Sequence, residues 1–431
     1  MKKIFIPLLT AVIVVSIIFA GCVPAVEPAP PVTPPVTPPP VTPPGAPVIP
    51  PPVTPPVTPP PVVPPGVAVT ATIPELAREF LEAESPHLYL GPDMIDIDAV
   101  MDFLDVVSKP AVPPAVIPHK LYRIALIFPG LDLSDAWFCA WYAFEQRMNE
   151  LGILYEVTSM GVAHDDHVLQ AAHIETAIAL EYDYVLIGPT ELMIQAAGIQ
   201  RMIEAGINVI IWNYTDPIRA WGTERYPDGL QPLAYVGFGD VVGGVINGEY
   251  ALTRLEPGSQ VALMHGVPGM LTQCRIGVGA AMMEAAGHEI VYVHYADYIK
   301  EKAYEATKAL VAAYPDVDLI YNASTAMSYG ICAALTEMGI PNEQIMVTAY
   351  GGGWGEQKLM WDGELNWTIL RMQDDWGVAP AEIIKYDIEG RRDEIPLVVM
   401  GGVILIHDGM TPGEVGEMMK YAYRYTGVIE Y

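Results

Sequence analysis

From Tyr122 to Gly353 the chain alternates short apolar runs with amphipathic stretches of helical length, a pattern that few folds can absorb. YRIALIFPG (122–130), YEVTSM (155–160), YVLIGP (184–189) and NVIIWN (208–213) are separated by helical patterns over 135–152, 165–181 and 193–205. Strands apolar along their whole length, with helices between them, predict parallel sheets covered on both faces. The alternation restarts after the Pro- and Gly-containing loop 226–232, with YVGF (235–238), QVALMHG (260–266), IVYVHYA (290–296), LIYNAS (319–324), IMVTAYGGG (345–353) and then NWTIL (366–370). The fold class expected is therefore α/β, with two doubly wound parallel-sheet lobes and a ligand cleft between them. The first strand set is expected to form one lobe and the second set the other. Helical patterns over 73–84 and 95–107 form an extension, 67–118, packed outside the first lobe. In sheets of this kind ligands sit beyond the carboxyl ends of the strands.

Upstream, Lys2 and Lys3, the apolar run 4–19 and the small residues Ala20 and Gly21 read as an export signal over 1–21. FAGC resembles the lipobox of bacterial lipoproteins, which makes Cys22 the expected lipid anchor and the cell membrane, on its outer side, the expected location. Residues 22–66 repeat PVTPP, a composition that favours extended polyproline II and cannot bury a core. At about 3.1 Å per residue this stalk reaches on the order of 130 Å. With Cys22 acylated, Cys139, Cys274 and Cys332 remain, an odd number without metal-ligand spacing. The formal charge of −29 argues against nucleic acid as a partner and against docking on anionic lipid.

Against that acidic background, the polar residues at the strand ends include two arginines. LDLSDAWFCAW (131–141) places Asp132, Ser134 and Trp137 after the first strand, where Ser134 can equally cap a helix and Trp137 can equally be core. Asn213 follows NVIIW, a position also used by simple turn residues. In the second strand set Arg275 opens a helical stretch after the glycine-rich loop 266–269, and Ser324 and Thr325 follow LIYNA. Tyr350 precedes the glycine triplet 351–353, and Arg371 follows NWTIL. A salt bridge, for instance Arg371 with Asp374 or Asp375, explains either arginine singly. Together the set describes a small polar pocket of positive potential.

Other chemistries find less support. His164, Asp165, Asp166 and His167 have metal-ligating side chains but fit a loop and a first helical turn, so no metal site is expected. The glycine triplet matches neither the dinucleotide nor the P-loop pattern, and no cofactor is implied. No GxSxG elbow is present, and no nucleophile, base and orienting group can be assembled, so the expected role is binding rather than catalysis.

NYTDPIRAW (213–221), YVGFGD (235–240), PDVDLIYNAST (315–325) and the glycine triplet followed by LRMQDDWGVAPAEIIKYDIEG (370–390) carry a resemblance. Over about 121–425 the chain resembles the type I periplasmic binding proteins, most nearly the LuxP-like autoinducer-2 receptors of quorum sensing. It is related in the same way to the ribose- and galactose-binding components of ABC transporters. The resemblance implies that Arg275 and Arg371 clasp the tetrahedral borate of a furanosyl borate diester. It implies ligand roles for Ser134, Trp137, Asn213 and Thr325, with Ser324 adjacent. Two positions depart from the receptor pattern: Asp132 stands where a glutamine is expected and Tyr350 where a tryptophan is. A carboxylate at 132 opposes an anionic ligand unless an arginine offsets it, which keeps a neutral sugar open. The resemblance implies lobes over 119–232 plus 372–394 and over 233–371 plus 395–431, closing about crossings near 229–234, 371–375 and 392–396, and the implied partner is a membrane sensor kinase or an ABC permease.

Overall fold

The computed structural model describes residues 75–88, 95–116, 118–130 and 135–427. The expected signal over 1–21, the Cys22 anchor, the 22–66 stalk, Asp132 and Ser134 lie outside them. Among the described residues twelve strands form two sheets: β1 Tyr122–Pro129, β2 Tyr155–Val162, β3 Tyr184–Ile187, β4 Asn208–Trp212, β5 Ala234–Phe238, β6 Gln260–His265, β7 Glu289–Tyr295, β8 Leu319–Asn322, β9 Met346–Gly351, β10 Trp367–Arg371, β11 Val398–Gly401 and β12 Val403–His407.

The first sheet runs β11-β5-β4-β3-β1-β2 and is parallel throughout; the second runs β12-β10-β9-β8-β6-β7. Along β1, Ile124, Leu126 and Phe128 enter one apolar core while Ala125 and Ile127 enter another, so both faces of the first sheet are buried. A third core fills the second lobe around Leu263, Tyr321, Ile331 and Trp367.

Pairing of β5 with β4 corrects the expected lobe boundary at 232. The run YVGF carries no mark of the sheet it joins, and the loop before it folds back within the first lobe. There Tyr226 N–H donates to Gln231 O (3.1 Å), and the Gln231 side chain donates to Ile218 O (3.1 Å) and Gly222 O (2.7 Å). β11 likewise belongs to the first sheet, although 395 onward was expected in the second lobe. The chain thus passes between lobes at Gly239, Met372 and Gly402, of which only the second falls inside an expected crossing. The three passages lie side by side, Gly239 N–H donating to Gly401 O and Met372 N–H to Gly402 O, both at 3.1 Å.

The last passage also explains why β10 pairs antiparallel with β12. The other strands of both sheets run toward the cleft, so a strand entering the second sheet directly from β11 must run away from it.

The N-terminal extension departs from expectation as well. Helix Ile97–Ser108 packs on the first lobe, against helix Gln373–Ile388 and β11, as the sequence suggests. Helix Glu75–Glu84 instead seats on helix Val278–Ala285 of the second lobe, with Phe80 against Gly277. An apolar helix face carries no label for the surface it covers. Between the two helices, Leu88 forms an antiparallel bridge with Ile218 of the first lobe, and Arg219 N–H donates to His87 O at 3.0 Å. Among the described residues no helix is long and apolar enough to cross a membrane.

Candidate ligand-binding site

The ends of β1, β3, β4, β8, β9 and β10 converge on one cavity between the lobes. About 570 Å³ of space free of protein atoms lies there, open solvent at its mouth included. All seven described residues singled out in the sequence line it: Trp137 and Asn213 from the first lobe, Arg275, Ser324, Thr325 and Tyr350 from the second, and Arg371 beside a crossing.

The two arginines differ in their surroundings. Arg275 lies on a π-helical turn, Gln273–Gly277, and its Nε donates to Asp240 Oδ1 at 2.9 Å, a buried ion pair. Its guanidinium lies 5.0 Å from the centre of the Tyr350 ring, and an Nη reaches Asn213 Oδ1 across the cleft at 3.5 Å. The salt-bridge explanation thus holds for Arg275, with an acid the sequence did not single out. It fails for Arg371. Asp374 accepts from Tyr425 N–H (2.5 Å), Thr426 N–H (3.0 Å) and the Thr426 hydroxyl (2.8 Å), while Asp375 pairs with Arg424 at 2.6 Å.

Arg371 is 5 % exposed, lies over the Phe238 ring at 4.8 Å, and has an Nε without a hydrogen-bond partner. No acid among the described residues forms an ion pair with it. Burial first, and then the charge of Arg275, push its pKa below the ordinary arginine value. A guanidinium held this way is a standing cost that an anion in the cavity offsets.

The other residues take their places through local structure. Ser324 caps helix Thr325–Met338, its Oγ accepting from Met327 N–H at 3.3 Å. Thr325 Oγ1 packs so closely on Gly351 that a Cβ there would lie 1.9 Å from it. The glycine triplet is therefore a turn that lets the end of β9 meet Thr325, and Glu356 fastens it by accepting from Gly352 N–H, Gly353 N–H and the Thr368 hydroxyl. Tyr350 directs its hydroxyl to Asp240 O (3.2 Å) and its ring toward Arg275. Trp137 stacks on Phe128 and meets Trp376, forming an aromatic wall while belonging to the core.

The 164–167 cluster does not converge as a metal site would. Asp166 caps helix His167–Ala179, His167 Nδ1 bonds the Thr190 hydroxyl at 2.8 Å, and Asp165 pairs with Lys302, leaving His164 alone at the cavity. No group of three or more potential metal ligands occurs among the described residues. Cys139, Cys274 and Cys332 are buried.

Behind Asn213, buried Asp216 has its pKa raised to about 7 by burial and then by Asp240. An acid whose folded pKa is raised contributes stability that is full below the unfolded value, near 4, and lost as pH rises through 7. Chemical denaturation of wild type and Asp216→Asn should therefore diverge between pH 4 and 7, the wild type losing on the order of 3 kcal/mol relative to the variant. Parallel pH profiles would place Asp216 outside this linkage.

A sequence profile described as "Periplasmic binding protein domain" matches residues 124–392. The ribose import binding protein RbsB of Salmonella typhimurium is 25 % identical over 161 residues, covering 37 % of this chain and 54 % of that protein. The chain therefore aligns with about half the length of that relative. Among solved structures, an ABC transporter solute binding protein of Agrobacterium vitis with bound D-fucose aligns with TM-score 0.61 at 18 % identity, covering 68 % of this chain and 99 % of that one. The XylFII–LytSN complex aligns with TM-score 0.56 at 16 % identity, covering 68 % and 100 %. At these identities the likeness is one of fold.

Proposed function

Because the chain belongs to the periplasmic binding protein domain family, we propose that it is an extracytoplasmic receptor, lipid-anchored through Cys22, whose lobes close on autoinducer-2 as its furanosyl borate diester or on a closely similar cyclic polyol. The observation that carries this reading is Arg371, a buried guanidinium at the cavity without an acid partner among the described residues. Asp240 offsets Arg275, so the described cavity wall presents one excess positive charge, and a borate diester carries one negative charge. Forked, charge-assisted hydrogen bonds to such an anion contribute about 1.5–3 kcal/mol each. Asn213 and Trp137 on one lobe and Thr325 and Arg275 on the other let the ligand favour the closed arrangement, because it gains its full contacts only there. The bound receptor then engages a membrane sensor kinase or a permease.

The second reading is a ribose- or galactose-type carrier serving an ABC importer. It is favoured by the names of the relatives, among them the ribose import binding proteins. Calorimetric titration with autoinducer-2, with and without borate, beside ribose, galactose and glucose separates the two. The receptor reading expects tight, borate-dependent binding of autoinducer-2. Binding of a plain sugar alone, indifferent to borate, rejects it.

A further inference from the structure

We propose that His164 and Tyr298, which meet across the mouth of the cavity from opposite lobes, form a clasp that contacts the bound polyol and sets how slowly it leaves. The inference rests on the binding reading above; it assigns to the site Tyr298, which the sequence did not single out, and gives His164 a role other than metal ligation. His164 follows β2 in the first lobe and Tyr298 follows β7 in the second; both line the cavity, with ring centres 5.3 Å apart and planes tilted by 53°.

Tyr298 is held ready by its own lobe. Asp297 and Tyr298 have φ of 52° and 60°, two successive non-glycine residues in the left-handed region, a conformation that persists only where its surroundings enforce it. The enforcement is visible. The Tyr298 hydroxyl bonds Thr272 Oγ1 at 3.1 Å, and Thr272 Oγ1 accepts from Gly266 N–H at 3.2 Å. The ring fills the space beside Gly266, where a Cβ would lie 2.0 Å from it. The strained turn thus aims a tyrosine at the cleft, and what it meets there belongs to the other lobe.

A second layer lies outside the rings. Lys302 Nζ donates to Asp297 Oδ2 at 2.7 Å within its lobe and to Asp165 Oδ2 at 3.2 Å across the cleft. These groups are half exposed, so the bridge contributes little energy and mainly orients the residue beside His164.

The charged groups acting on His164 are Arg275 from the π-helical turn and Asp165 from its own loop, and Tyr298 faces it from beyond β7. Burial and then Arg275 lower its pKa to about 4, against the opposing effect of Asp165. The imidazole is therefore neutral near pH 7, with one nitrogen donating and one accepting, a pairing suited to a ligand hydroxyl.

Interlobe distances measured between spin labels at Glu204→Cys and Glu343→Cys, together with ligand dissociation rates, test the clasp in the full-length protein. His164→Ala and Tyr298→Ala should each broaden the ligand-free distances toward the open state and raise the dissociation rate about tenfold, with association rates nearly unchanged. The double variant should show less than the product of the two effects. Tyr298→Phe, which keeps the ring but loses the hydroxyl's bond to Thr272, should fall between wild type and Tyr298→Ala. Unchanged distances and rates, or fully multiplicative effects, would overturn the clasp. Should the wild type bind neither autoinducer-2 nor any sugar tested, the ligand-free distances still decide the clasp, and the failure then belongs to the binding reading alone.

Discussion

Replacing Arg371 with methionine should weaken ligand binding by about 2–5 kcal/mol, roughly 30-fold to a few thousand-fold, while raising the stability of the ligand-free protein. The two effects have one cause. The guanidinium is buried, its Nε has no partner, and Asp374 and Asp375, the acids nearest in sequence, are bound to the C-terminal segment. An apolar side chain of similar length removes an uncompensated charge and should stabilise the empty receptor by about 1–4 kcal/mol. Calorimetry and denaturant midpoints without ligand measure the two arms. Lost affinity with lost stability would identify Arg371 as an ordinary structural arginine, and unchanged affinity would remove it from the site.

Arg275 should respond with the opposite sign in the empty protein. Its change to methionine leaves Asp240 buried without its cation and close enough to buried Asp216 to raise that group's pKa. Breaking a buried pair from one side costs about 3–5 kcal/mol, so Arg275→Met should lose stability and affinity together. Asp240→Asn should lose stability while leaving the guanidinium available, and so retain more affinity than Arg275→Met. Equal behaviour of Arg275→Met and Arg371→Met in the ligand-free protein would contradict the division of roles between a paired and an unpaired arginine.

Ten of the twelve strands among the described residues were legible in the sequence, because buried parallel strands are apolar along their whole length; β11 and β12 were not singled out. The cavity's polar lining was legible to the same depth, since those residues stand where the apolar runs stop, as Asn213 and Arg371 do. Sheet membership was not. β5 and β11 look like any other apolar run, and only pairing across the chain places them in the first sheet. Asp240 reads as an acid in the first turn of a helix, and its service to Arg275 depends on how that helix docks. His164 stood out for its neighbours in sequence, yet the ring it meets at the cavity is that of Tyr298, more than a hundred residues away and in the other lobe.

Helix Glu75–Glu84 rides on the second lobe and helix Ile97–Ser108 on the first, so the extension spans the two bodies independently of the three passages at Gly239, Met372 and Gly402. A change in the angle between the lobes would therefore change the distance between these two helices. The extension is thus a built-in strain gauge: a pair of dyes at exposed Arg78 and Asp102 would follow each opening and closing from outside the cleft, leaving every cavity residue untouched.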